Sequence, residues 1–147
     1  MRKKYLSLDA LPNSFVEPLV VASSATGNYN CIAWALEDTT HFYWTGPEEF
    51  FYWESDLVRE ETIDCFVQLF ARYGYNICNN ALKERGFTKI ALFAKDNVPT
   101  HAARQLPNGL WTSKLGILED VEHSLFAISD GIYGSVALIL KKKTVKP

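Results

Sequence analysis

Apolar residues follow two different periods along this chain. Between Glu60 and Tyr73, Ile63, Phe66, Val67 and Phe70 stand at i, i+3, i+4 and i+7, which puts them on one helical face, and Gly74 follows as a C-cap. A shorter helix is predicted over about Asn80 to Glu84, closed by Gly86. After that the pattern changes to strands. Thr88 to Ala94 is bounded by Asp96-Asn97; Thr100 to Leu106 and Leu110 to Leu115 flank the hairpin signal Pro107-Asn108-Gly109; Gly134 to Lys141 supplies a last strand. Helices first and an antiparallel sheet afterwards predict an α+β fold, with residues 31–86 mainly helical and 87–143 the sheet.

Two stretches carry no clear period. Residues 1–30, with Pro12, Pro18, Gly27 and the run Ser23-Ser24-Ala25-Thr26, read as an irregular arm. Cys31 to Leu36 is an apolar run directly after Asn28-Tyr29-Asn30. Asn28 or Asn30 is suited to cap a short helix there, although a strand has the same period signature at this length. The aromatic block Phe42-Tyr43-Trp44 and Phe50-Phe51-Tyr52-Trp53, around Gly46-Pro47, suggests a lid or wall over something apolar.

Composition narrows the classes. At 147 residues, 48% hydrophobic and 22% charged, the chain is one ordered domain. A formal charge of -2 gives no basic surface for a phosphate backbone, so nucleic acid is not an expected partner. Three cysteines without a C-x-x-C pair fit neither a disulfide scaffold nor a zinc module, and no cofactor or metal is expected. No signal peptide or membrane span is visible, which predicts a cytoplasmic protein that does not enter membranes, with a secreted effector exported without a signal peptide as the alternative.

The candidate chemistry is that of a thiol. A cysteine at a helix start has its anion favoured by free N–H groups, and a nucleophile also needs a base, usually a histidine held by a third polar group. Cys31 fits the first requirement. His101, heading a predicted strand, fits the second. Hairpin arithmetic supplies the third: if Leu106 pairs with Leu110, Ala103 faces Ser113 and His101 lies opposite Leu115, so Ser113 is diagonal to His101. Ser113 is therefore the first candidate to orient the imidazole, with Thr112, Asp120 and His123 as rivals. Asn28 or Asn30 is a candidate oxyanion donor. Asn30, Arg104, Trp111 and Lys114 are candidates for contacting substrate, with Gln105 beside them. Cys65, inside the amphipathic helix, and Cys78 read as structural, His123 as a surface residue, and His41 as a packing residue.

The blocks Asn30-Cys31-Ile32-Ala33-Trp34-Ala35, His101-Ala102-Ala103-Arg104-Gln105, Trp111-Thr112-Ser113-Lys114-Leu115-Gly116 and Asp120-Val121-Glu122-His123 resemble the signatures of an uncharacterised bacterial family. More distantly, a cysteine opening a helix, a histidine beginning a strand and a polar residue on the next strand resemble the papain-like cysteine hydrolases, in particular the small bacterial cell-wall peptidases and amidases. That second resemblance implies a papain-like fold and cleavage or transfer at an amide, isopeptide or thioester bond, peptidoglycan stem peptides among them. The expected partner is then a peptide or a small amide or thioester substrate. The alternative expectation is a non-catalytic binding module with a protein partner, of the kind tied to a bacterial toxin or defence system, which the aromatic block and the lack of an obvious third carboxylate favour.

Overall fold

A computed structural model describes residues 3–144; Met1 and Arg2 of the basic start and residues 145–147 lie outside it. In chain order its elements are β1 (Tyr5–Leu6), β2 (Leu19–Ser23), α1 (Cys31–Ala35), α2 (Ile63–Arg72), β3 (Asn76–Cys78), β4 (Phe87–Lys95), β5 (Val98–Gln105), β6 (Trp111–Lys114), β7 (Asp120–His123), α3 (Leu125–Ile128) and β8 (Ser135–Lys143), with a 3-10 turn at Pro12–Phe15. Among the described residues, eight strands form one sheet in the order β1-β2-β7-β6-β5-β4-β8-β3, each neighbouring pair antiparallel.

Successive side chains of a strand point to opposite faces, and the sheet's centre is covered on both. Along β4, Ile90 and Leu92 join one apolar cluster with Ala102, Cys31, Ile32, Phe66 and Phe70; Ala91 and Phe93 join a second with Ala103, Trp111, Val121, Ala127 and Leu11. Helices α1 and α2 cover the first face, while α3 and the 3-10 turn pack together over the second. Double coverage explains why β4 reads as a nearly continuous apolar run, Ile90-Ala91-Leu92-Phe93, all fully buried.

The helices end where local chemistry ends them. Thr62 accepts the Cys65 N–H at 3.2 Å, and α2 stops before Gly74, whose φ of +93° suits glycine. Asn30 caps α1 by accepting the Ala33 N–H at 3.2 Å. After Leu36, Glu37 turns left-handed at φ 62°, so α1 is only five residues long.

The expected α+β class, with N-terminal helices packed on a C-terminal sheet in a papain-like arrangement, is corrected: the molecule is mainly an antiparallel sheet with a few short helices. Strands come from both ends of the chain. Residues 1–30 are not merely an arm, because β2 pairs with β7 through Val20–Glu122 and Val21–Val121. Residues 31–86 are not mainly helical. The stretch between α1 and α2 is loop, closed by a bridge between Tyr43 and Tyr52. No helix forms at 80–84, where the Asn80 side chain accepts the Leu82 N–H at 3.0 Å in a turn that competes with helix. Cys78 lies in β3, not in a loop. The strands predicted from alternation and the hairpin at Pro107-Asn108-Gly109 are present, shifted by a residue or two at their ends.

Candidate active site

His101 and Ser113 meet across the hairpin as the register arithmetic requires. Leu106 donates its N–H to Leu110 O at 2.7 Å, Arg104 pairs with Thr112, and the His101 ring reaches Ser113 Oγ through Nε2 at 2.9 Å. His123, on β7, joins from the other side: its Nε2 is 2.7 Å from the same Oγ, and its Nδ1 is 2.8 Å from Ser124 O.

These contacts fix the protons. A carbonyl only accepts, so His123 Nδ1 carries the hydrogen and Nε2 is bare; Ser113 Oγ–H then donates to His123 Nε2 and accepts from His101 Nε2–H. His101 Nδ1 is left as an unprotonated lone pair, buried and without a hydrogen-bond partner. Both rings stay neutral. Burial pulls His123 down to about 4, and burial together with the charge His123 would carry holds His101 well below the ordinary histidine range. Tyr133 lies flat on the His101 ring, centroids 3.9 Å apart at 12°, and Phe93 meets it edge-on at 5.7 Å.

Cys31 opens α1, as expected, and is nearly buried at 8% exposure. Burial pushes its thiol up to about 11, against the pull of backbone N–H groups of Ala102, Ile32 and Cys31 itself and of the Lys114 charge. N–H groups of alternate residues in a strand point the same way, so those of Arg104 and Ala102 aim toward β6, as that of Leu106 does. Pairing of β5 with β6 is confined to Arg104–Thr112 and Gln105–Trp111, so the Ala102 N–H has no β6 partner and is free to favour the Cys31 thiolate.

Sulfur and imidazole belong to opposite faces of the sheet. Cys31 belongs to the cluster under α1 and α2, whereas Phe93 and Tyr133, which hold His101, belong to the other. His101 Nδ1 and the sulfur are not hydrogen-bonded. Burial raises the Tyr133 phenol, and so does the charge a Cys31 thiolate would carry.

The remaining candidates fall elsewhere. Asn30 Oδ1 takes the Tyr43 N–H at 3.0 Å in addition to the cap, and its Nδ2 donates to Tyr43 O at 2.5 Å, so Asn30 anchors the loop after α1. Thr112 donates to Val121 O at 3.0 Å and accepts from Trp34 Nε1 at 2.9 Å. Asp120 accepts from Tyr29 Oη at 2.5 Å and from Ser23, on the Cys31 side and away from His101. Lys114 is fully buried; its Nζ donates to Leu118 O and sits 5.4 Å from the Tyr29 ring centroid, and burial lowers its pKa. Trp111 is buried in the second cluster, and Arg104 lies on the first face with its guanidinium 5.9 Å from the Trp34 ring. His123 is not the surface residue expected; it is 3% exposed and part of the relay. His41 packs against Tyr52 at 4.2 Å and bonds Asp38 at 2.6 Å. Sequence reasoning missed Tyr133 altogether, since a lone tyrosine between Ile132 and Gly134 carries no signal.

Fold and site together define an antiparallel-sheet protein with a buried thiol at the start of α1 and, on the other face of the sheet, a buried histidine–serine–histidine relay. The chain belongs to the family described as Domain of unknown function (DUF7689), whose model matches residues 20–141. No curated protein and no solved structure matches it, and a papain-like relationship is not supported. Among the described residues no helix is long and apolar enough to cross a membrane.

Proposed function

We propose that the protein is a cysteine hydrolase or acyl transferase acting at an amide, isopeptide or thioester bond. The observation that carries this is the bare Nδ1 of His101, a base with its tautomer fixed by Ser113 and His123 and no structural partner of its own. In the reaction the Cys31 proton passes to His101 Nδ1 as the sulfur bonds the carbonyl carbon. N–H groups of Cys31 and Ile32, which favour the thiolate, are assigned to the oxyanion, and collapse breaks the bond to the amine or thiol, which leaves with the proton from Nδ1. Water or a second nucleophile then attacks the thioester and frees the sulfur. Because the resting thiol is protonated and nearly buried, substrate entry requires local opening around the sulfur, and thiolate forms only as Nδ1 accepts its proton.

An aryl thioester incubated with the full chain tests this by intact and peptide mass spectrometry. A single acyl adduct is expected on Cys31, absent in Cys31→Ala and slowed about 100-fold in His101→Asn. Acylation of Cys78 with none at Cys31 overturns the reading.

A second reading, a non-catalytic module that binds a protein partner, is favoured by the burial and raised pKa of Cys31. Full retention of the cellular effect of the protein by a folded Cys31→Ala variant selects it.

A further inference from the structure

We propose that Lys114 is the built-in counter-charge of the Cys31 sulfur. The catalytic meaning of this pairing rests on the reading of Cys31 as a nucleophile, while its test reads the sulfur without any acyl transfer.

Register puts Lys114 on the sulfur's face of the sheet. Arg104 pairs with Thr112, whose hydroxyl accepts from Trp34 of α1, so Thr112 points to the side that α1 covers. Side chains two residues apart on a strand share a face, which gives Lys114 the same direction, and its paired residue Asp120 follows it. Tyr29, two residues before Cys31, completes the group. Its ring centroid lies 5.4 Å from Lys114 Nζ, and its hydroxyl donates to Asp120 Oδ2 at 2.5 Å. His101 and Ser113, at alternate positions, face the other way.

Lys114 is fully buried, and among the described residues no carboxylate oxygen lies within 4.0 Å of its Nζ. Asp120 Oδ2 is taken by Tyr29 and Ser23. Leu118 O is the one acceptor that Lys114 bonds among the described residues, so two of its three N–H groups are free. An ammonium buried without a close anion is costly, and such groups gather where charge develops in a reaction. On this face the charge that develops is the Cys31 thiolate. The two groups act on each other: the ammonium pulls the thiol down, and a thiolate would raise the ammonium. Lys114 therefore steadies the sulfur anion while the thiol proton rests on His101 Nδ1. It acts by charge and takes no proton.

Two alkylating reagents of similar size test this at pH 8 by peptide mass spectrometry: anionic iodoacetate and neutral iodoacetamide, with N-acetylcysteinamide as a free reference thiol. Exposure and thiolate fraction affect both reagents alike, so the ratio of their rates at Cys31 reports local charge. Burial alone disfavours the anion. With Lys114 beside the sulfur, the iodoacetate-to-iodoacetamide ratio should equal or exceed that of the free thiol. In Lys114→Met, its fold checked by the urea midpoint, the ratio should fall about fivefold. Lys114→Arg, which keeps the charge, should return it to within about twofold of the unaltered chain. Acylation of Cys31 by the aryl thioester should slow about tenfold in Lys114→Met. The proposal is overturned if the ratio in the unaltered chain lies below that of the free thiol, or if folded Lys114→Met leaves it unchanged. The expected ratios with no acyl adduct on Cys31 uphold the charge pairing and overturn the nucleophile reading alone.

Discussion

Nε2 of His101 lies 2.9 Å from Oγ of Ser113, twelve residues further along the chain, and the distance follows from a hairpin whose register is set at Leu106 and Leu110. That hydroxyl is the only link between two buried imidazoles among the described residues. Ser113→Ala leaves His101 Nε2–H without an acceptor and His123 Nε2 without a donor. The expected cost is about 2 kcal/mol, read as a lower urea midpoint at unchanged slope. Acylation of Cys31 should fall about tenfold or more, because the His101 tautomer is no longer fixed. A stable Ser113→Ala protein with unchanged acylation rate removes the relay from the mechanism.

The two neutral histidines make the fold acid-sensitive. Their folded pKa values are depressed, so their contribution is complete above the ordinary histidine value of about 6.5 and is lost as pH falls through it toward 4. His123 alone, at about 4, accounts for roughly 3 kcal/mol across that window. Urea unfolding at pH 7, 6, 5 and 4 should show a midpoint that drops steadily below pH 6.5, with a shallower slope in His123→Gln. A flat profile means the rings are protonated in the fold and the proton assignment is wrong.

Much of this site was legible because hairpin register is local. Pro107-Asn108-Gly109 sets the turn, and simple counting then brings Ser113 to His101. Strand β7 was invisible for an equally local reason: Asp120-Val121-Glu122-His123 has one apolar residue, and its burial depends on Tyr29, Ser23 and Ser113, all distant in sequence. The strand β2 that pairs with β7 was hidden likewise, and without both the sheet looked confined to the C-terminal half. The short helix at 31 was readable from Asn30, whose capping role is local, but its second partner Tyr43 was not.

Asn30 separates a cap from an anchor. Aspartate caps helices as well as asparagine does, so if Asn30 only capped α1, Asn30→Asp would be nearly neutral. Here Nδ2 also donates to Tyr43 O, and a carboxylate in its place would set charge against a carbonyl. Both Asn30→Ala and Asn30→Asp should therefore cost about 2 kcal/mol in urea unfolding. A neutral Asn30→Asp reduces the residue to a cap and detaches the Tyr43 loop from the stability of α1.

Cys31 should be the slow thiol of the resting protein. Its ordinary value of 9.0 is raised to about 11 by burial, so almost no thiolate exists at pH 7, whereas Cys78 is half-buried and open to reagent. Iodoacetamide at pH 7 should therefore modify Cys78 first, and the Cys31 rate should keep climbing to pH 11. The same shift sets an alkaline limit: a raised thiol stabilises the fold fully below pH 9, and that contribution, roughly 3 kcal/mol, is lost as pH rises to 11. Slow resting alkylation is compatible with acyl chemistry, since thioester attack couples ionisation to proton uptake at His101 Nδ1 whereas alkylation needs thiolate already present. Alkylation of Cys31 ahead of Cys78 at pH 7 would instead establish a resting thiolate–imidazolium pair, which the raised thiol and the depressed imidazole do not allow.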